Sequence, residues 1–242
     1  SSRPSGRNGV NLLAAWYLGA SVVPVDPRLT AFEIENLARA VSPRLMLVDR
    51  EVDAGLVSGM TGLGIKVVDA AEGNAAGDSG QRLGNPPSPA RLDDEALILF
   101  TSGSTGVPKG VVHTHRSLRA RWMALRQSLG VDAYRRTLCL LPTHFGHGLI
   151  CNCLFPWLSG QDLLVVPPFN PALLMQLGKL VDEHEVTFIS SVPSMWELIL
   201  KVSKAPRSGV LRRIHCGSAP LSGHLWKQIQ QWGDTSEVFK AH

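Results

Sequence analysis

Residues 101–110 read Thr-Ser-Gly-Ser-Thr-Gly-Val-Pro-Lys-Gly, so four hydroxyl residues, three glycines and one lysine share ten positions. Gly103, Gly106 and Gly110 let backbone N–H groups approach a ligand that side chains would keep away. Thr101, Ser102, Ser104 and Thr105 add hydroxyl donors, and Lys109 adds a positive charge. Charge-assisted hydrogen bonds contribute about 1.5–3 kcal/mol each, so a few of them could hold a polyphosphate against water. The segment is not a Walker A loop, because no Gly-Lys-Ser/Thr occurs and Pro108 precedes the lysine. An apolar strand at 97–100 leads in and a second strand at 110–115 leads out. No helix N-terminus then assists the phosphate, and the hydroxyls and Lys109 carry more of the binding.

The order Thr-Ser-Gly-Ser-Thr-Gly-x-Pro-Lys-Gly resembles the phosphate-loop signature of the adenylate-forming superfamily. That superfamily comprises acyl- and aryl-CoA synthetases, peptide-synthetase adenylation domains and firefly-type luciferases. The resemblance implies an α/β fold of layered sheets with flanking helices, part of the large N-terminal domain of such enzymes. It implies a nucleotide grip by Thr101, Ser102, Gly103, Ser104, Thr105, Gly106 and Lys109, with Lys109 and Thr105 as the catalytic groups.

Five further segments extend the resemblance. Gly217-Ser218-Ala219-Pro220-Leu221 resembles a turn whose backbone lies along the adenine and the acyl group, where small residues are needed. The segment at 142–149, Pro-Thr-His-Phe-Gly-His-Gly-Leu, resembles the gate of the acyl pocket, with Phe145 at the gate position and His144 beside it. Gly146 stands where amino-acid-activating relatives carry an aspartate. An ammonium stripped of water without a countercharge is strongly disfavoured, which argues against an α-amino acid substrate. Residues 190–196, Ser-Ser-Val-Pro-Ser-Met-Trp, resemble a pocket-lining corner, which implies substrate contacts from Ser191, Val192, Met195 and Trp196; Met195 and Trp196 suit a core equally well. At 237–242, Glu-Val-Phe-Lys-Ala-His resembles the strand before an aromatic-Gly-x-Thr-Glu motif and puts His242 at the adenine-stacking position. An early stretch at 19–27 also resembles the family and is assigned a structural task.

The activity implied is AMP-forming ligation of a carboxylic acid to coenzyme A, using ATP and Mg2+. The alternatives are loading of a carrier protein and a non-catalytic nucleotide-binding module. By the same resemblance the chain is expected to correspond to about half of a family member, without the magnesium-binding glutamate and the catalytic lysine of the C-terminal domain. It is therefore expected to bind ATP weakly and to catalyse little by itself.

Composition agrees with a large core: 44 % of the 242 residues are hydrophobic. A net charge of +4 suits a polyanionic ligand, yet the basic residues are scattered and no nucleic-acid module is visible. Cys139, Cys151, Cys153 and Cys216 fall in apolar segments without zinc spacing, and read as reduced thiols with no metal site. His113 and His115 share a strand face and read as structural. The apolar stretch 138–158 is interrupted by His144, His147 and Pro156, so neither a membrane span nor a signal peptide is expected and a cytoplasmic location is.

These residues must be positioned by alternating strands and helices, which imply parallel pairing. Residues 1–69 form a first α/β lobe, 70–94 a linker rich in Gly, Ser and Pro, and 95–242 a second α/β lobe. In the first, a helix at 11–18 precedes a strand at 21–25, and Thr30-x-x-Glu33 is a capping box for a helix burying Ile34, Leu37 and Val41. Strands follow at 45–48 and 65–68. In the second, a helix from Arg116 buries Leu118, Trp122, Leu125 and Leu129 and turns Arg119, Arg121 and Arg126 to solvent. Strands at 137–141, 163–166, 187–190 and 213–216 then alternate with helices.

Overall fold

The computed structural model describes residues 7–48, 52–70, 90–101, 109–167, 170–235 and 237–241. Helix α1 (Arg7–Tyr17) is followed by α2 (Ala31–Val41), β1 (Leu45–Val48), α3 (Ala54–Gly62) and β2 (Lys66–Asp69). The capping box is present: the Thr30 side chain accepts from the Glu33 N–H, and the Glu33 carboxylate accepts from the Thr30 N–H at 2.8 Å. β1 and β2 pair in parallel, and Ile34, Ala38, Leu56, Met60 and Ile65 close a small core around them. The expected strand at 21–25 shrinks to one parallel bridge, Val22 to Leu97. Pro24 and Pro27 cannot donate to a ladder, which keeps this stretch from pairing further.

Strands β3 (Glu95–Thr101) and β4 (Lys109–Thr114) form an antiparallel hairpin, so the hydroxyl-rich loop joins strand to strand as expected. Helix α4 (His115–Leu129) follows directly, its first turn capped by the Thr114 hydroxyl on the Ser117 N–H at 3.1 Å. Beyond lie β5 (Arg136–Cys139), a π-helix (His147–Leu154), α5 (Phe155–Leu158), β6 (Asp162–Val165), α6 (Pro171–Met175) and α7 (Leu177–Glu183). The chain continues through β7 (Phe188–Ser191), α8 (Pro193–Val202), β8 (Arg213–Gly217), α9 (Gly223–Gly233) and β9 (Glu237–Ala241).

The five strands β6-β5-β7-β8-β9 make one wholly parallel sheet. Its side chains alternate between two buried environments, as the period of 2 requires. Leu138, Ile189, Ile214, Cys216 and Val238 pack on one face with Leu177, Trp196, Ile199, Ile229 and Trp232 in the largest core cluster. Thr137, Cys139, Phe188, Ser190, His215 and Phe239 occupy the other alternation, toward the π-helix, α4 and the hairpin. There Leu12, Leu97, Leu99, Leu118, Cys139, Leu149 and Leu154 form a second cluster, joined by Trp16 and Val22. The Trp16 indole N–H donates to the Ala96 carbonyl at 2.7 Å, so α1 packs with the later segment. All four cysteines are free; three are buried, and the Cys139 thiol together with burial pushes the Cys153 thiol far up. Among the described residues, no helix is long and apolar enough to cross a membrane.

Candidate active site

A cavity of about 520 Å³ opens between the sheet, α4 and the hairpin, near the carboxyl ends of the strands. Its walls are chiefly Leu99, Leu125, Leu129, Tyr134, Ile150, Phe155, Phe188 and Phe239, with polar contributions from His147, Ser190, His215 and Ser218. Arg121, His113 and Lys240 also line it, and no carboxylate does among the described residues.

The π-helix organises the mouth. Its His147, Ile150 and Cys151 line the cavity, while Leu149, Cys153 and Leu154 are core. Gly148 permits this approach, because a Cβ there would overlap the Pro142 carbonyl oxygen. Gly148→Ala must displace backbone and is expected to destabilise the chain by about 1–3 kcal/mol, measurable by urea unfolding. Unchanged stability would show that this segment is not held by the contact.

His147 is fixed at both ring nitrogens, Nδ1 at 2.9 Å from the Ser218 hydroxyl and Nε2 at 2.7 Å from the Ser190 hydroxyl. Burial lowers its pKa and favours the neutral ring, which donates through one nitrogen and accepts through the other. Ser218 has φ +64°, in the left-handed region that non-glycine residues rarely occupy. The side chain of Asn152, fully buried, donates to the Ser190 carbonyl at 3.1 Å and steadies the same strand. His147→Ala leaves the buried Ser190 hydroxyl without this partner, an expected loss of about 1–3 kcal/mol in stability. Denaturation of the variant should show it; a native midpoint would mean that Ser190 needs no such bond.

The residues expected to bind substrate separate. Gly146 lines the cavity, and Phe145 stands on the surface beside it, its ring 6.5 Å from that of His147. His144 turns away: its Nε2 lies 3.3 Å from Asp26, whose carboxyl the Arg28 hydrogen bond holds down to about 2. Met195 and Trp196 are core residues, and the half-buried Val192 packs against the same cluster. Ser191 is buried on the core face of β7, and its neighbour Ser190 takes the cavity face. Both faces of β7 are buried, so hydrophobicity gave no signal for choosing between two adjacent serines.

Of the nucleotide-binding residues, Thr101 and Lys109 end β3 and begin β4 as register partners. Ser102, Gly103, Ser104, Thr105 and Gly106 lie outside the described residues, as does His242. Gly217 ends β8 within the core, Ser218 reaches the cavity, and Ala219 and Pro220 are exposed beyond it. His115 opens α4 instead of sharing a strand face with His113, and packs edge-on to Trp16 at 5.5 Å, whereas half-buried His113 lines the cavity. Arg119, Arg121 and Arg126 are exposed, as expected, and two of them have a further contact. Arg121 lines the cavity with Leu125 and Leu129, and Arg126 lies over the Trp122 ring at 5.5 Å. The i, i+4, i+8 spacing of 121, 125 and 129 sets Arg121 beside two leucines that also pack on the Tyr134, Phe155 and Phe188 core.

His215 has a pKa lowered to about 4, chiefly by burial and then by the charge of Arg213. An unfolded histidine titrates near its ordinary 6.5, so the unfolded chain takes up the proton first. Stability contributed by the neutral ring is complete above that pH and is lost as pH falls through the interval toward about 4. His147 shifts in the same direction. Urea midpoints measured across this window should fall less steeply for His215→Phe than for the native chain; equal slopes would sink the assignment.

A parallel α/β sheet carries an aromatic cavity near the carboxyl ends of its strands, beside the β3–β4 hairpin. Residues 10–241 match the profile of the family described as AMP-binding enzyme, and the chain belongs to that family. It is 27 % identical over 241 residues to the beta-alanyl-bioamine nonribosomal peptide synthetase ebony of Drosophila melanogaster, covering 92 % of this chain and 26 % of that protein. It is 29 % identical over 216 residues to a feruloyl-CoA synthase of Amycolatopsis sp, covering 88 % and 42 %. Among solved structures it resembles ATP-bound MatB from Rhodopseudomonas palustris, with a TM-score of 0.81 at 20 % identity, over 99 % of this chain and 48 % of that one. It also resembles the N-terminal domain of FACL13 from Mycobacterium tuberculosis, with a TM-score of 0.80 at 24 % identity, over 96 % and 58 %. The chain thus spans less than half the length of these two curated relatives.

Proposed function

We propose that this chain is the nucleotide- and acid-binding portion of a ligase that couples a carboxylic acid to coenzyme A through an acyl-adenylate. The observation that carries this reading is the aromatic cavity beside the Ser218 turn, free of carboxylates among the described residues. A substrate ammonium would lack a countercharge there, which favours simple acids over α-amino acids. The relatives named for feruloyl-CoA synthesis and peptide synthesis agree with activation of an acid. The alternative acceptor is a carrier protein, and the thioester formed in the product analysis distinguishes it from coenzyme A.

In the first step a carboxylate oxygen attacks the α-phosphorus of ATP, the acyl–phosphate bond forms, and pyrophosphate leaves with the electron pair. Rate enhancement comes from positioning and charge neutralisation. Lys109 and Thr101, with Ser102, Ser104 and Thr105 between them, hold the leaving pyrophosphate. Gly146 and Ser218 leave room for the carboxylate at the mouth. In the second step the thiolate of coenzyme A attacks the acyl carbon, the C–S bond forms, and AMP departs. Among the described residues no three His, Cys, Asp or Glu groups gather to hold a metal ion, so no step is assigned to magnesium held by them.

The test is product analysis of the protein carrying this chain, incubated with ATP, coenzyme A and a panel of carboxylic acids. AMP and pyrophosphate released only with acid, together with an acyl-CoA thioester, are expected. Formation of ADP and phosphate, or nucleotide turnover indifferent to acid, would overturn the reading.

A further inference from the structure

His215 has no task in the reaction as written, yet the sheet directs it into the cavity. It forms one row across the cavity face with Ser190 of β7 and Phe239 of β9. A strand rises about 3.3 Å per residue, so His215 lies roughly 7 Å below Gly217 at the strand end, about one aromatic ring deeper than the mouth. Only 9 % of the residue is exposed, and its Nε2 has no hydrogen-bond partner. Around it stand the rings of Phe188 at 4.9 Å, Phe239 at 5.7 Å and Tyr134 at 6.1 Å, all meeting it edge to face.

A buried polar nitrogen left without a partner costs about 1–3 kcal/mol, and such orphans in native proteins ask for an explanation. The nearby cation supplies none: Arg213 donates to the Leu129 carbonyl at 2.6 Å and to Glu237 at 2.7 Å. A positive neighbour and burial keep the imidazole neutral, with one donor and one acceptor to offer. Such a ring does not select for charge. It suits a hydroxyl, which both donates and accepts, while the flanking aromatic rings suit a flat apolar body.

We propose that the cavity takes an aromatic carboxylic acid bearing a hydroxyl remote from its carboxylate, and that His215 is the specificity-determining residue that hydrogen-bonds this hydroxyl. The carboxylate lies toward Gly146 and Ser218, and the ring lies among Phe188, Phe239 and Tyr134. The inference rests on the reading of the cavity as the acid site.

The test uses cinnamate and 4-hydroxycinnamate as probes, with calorimetry and nitrogen NMR of protein carrying 15N-labelled histidine. The hydroxylated acid should bind the native chain about tenfold more tightly, the worth of one hydrogen bond in a desolvated site. It should also move the His215 ring resonances, which cinnamate leaves in place. In His215→Phe the preference should vanish while cinnamate still binds. Equal affinity of both acids for the native chain, with unmoved His215 resonances, would overturn the role of His215 and leave the acid site standing. Binding of neither acid would overturn both. Should His215→Phe fail to fold, the resonance comparison in the native chain decides alone.

Discussion

Trp196→Ala is expected to lower the stability of the chain by about 3–5 kcal/mol, the range for removing a large aromatic side chain from a packed core. Trp196 has 0 % exposure, belongs to the largest core cluster, and meets Trp232 edge to face with ring centroids 5.5 Å apart. Its removal opens a cavity beneath α8 and α9 and forfeits an aromatic pair worth about 0.5–1.5 kcal/mol. Trp196→Phe is the informative companion. The indole Nε1 is buried without a partner, so losing it removes an unfavourable group and offsets part of the lost volume. Urea unfolding of both variants is the measurement. A mild effect of Trp196→Ala on stability, joined to weakened binding of the acid, would restore Trp196 to the substrate site.

Lys109→Ala is expected to weaken ATP binding by about ten- to a hundredfold, the equivalent of one charge-assisted hydrogen bond of about 1.5–3 kcal/mol. Lys109 is exposed at the first position of β4, opposite Thr101 in the hairpin register. Its backbone carbonyl accepts from the Thr101 hydroxyl at 3.4 Å, a contact that truncation of the side chain leaves intact. Thermal stability should therefore stay native while calorimetry with ATP reports the loss. Lys109→Arg should retain part of the affinity, since it keeps the charge but not the compact ammonium. Equal affinity in the native chain and Lys109→Ala would remove the loop from the nucleotide site.

Much of this architecture was legible because it depends on neighbours in sequence. The capping box at Thr30 and Glu33, the hairpin around the hydroxyl-rich loop, and the strand–helix alternation from β5 to β9 all follow from local signals. Signals weakened where burial was two-sided. On β7 and β8 both faces are covered, so Ser190 could not be told from Ser191, nor His215 marked as a cavity residue, by polarity alone. On α4 the leucines at 125 and 129 are apolar whether they meet core or ligand, which hid Arg121 beside them. The stretch 21–25 looked like a strand by its β-branched residues, but its prolines left a single bridge.

The sequence by itself determined the phosphate-gripping composition of residues 101–110, the small-residue turn at 217–220 and the absence of a carboxylate at Gly146, because each is a matter of residue type at a fixed spacing. Tertiary structure decided which of these meet. His147 joins Ser190 and Ser218 across 43 and 71 positions, and His144 leaves the site for Asp26. The reason is geometric: a one-residue step along a buried strand reverses the face, and only the packing of the sheet between two cores fixes which face receives the ligand.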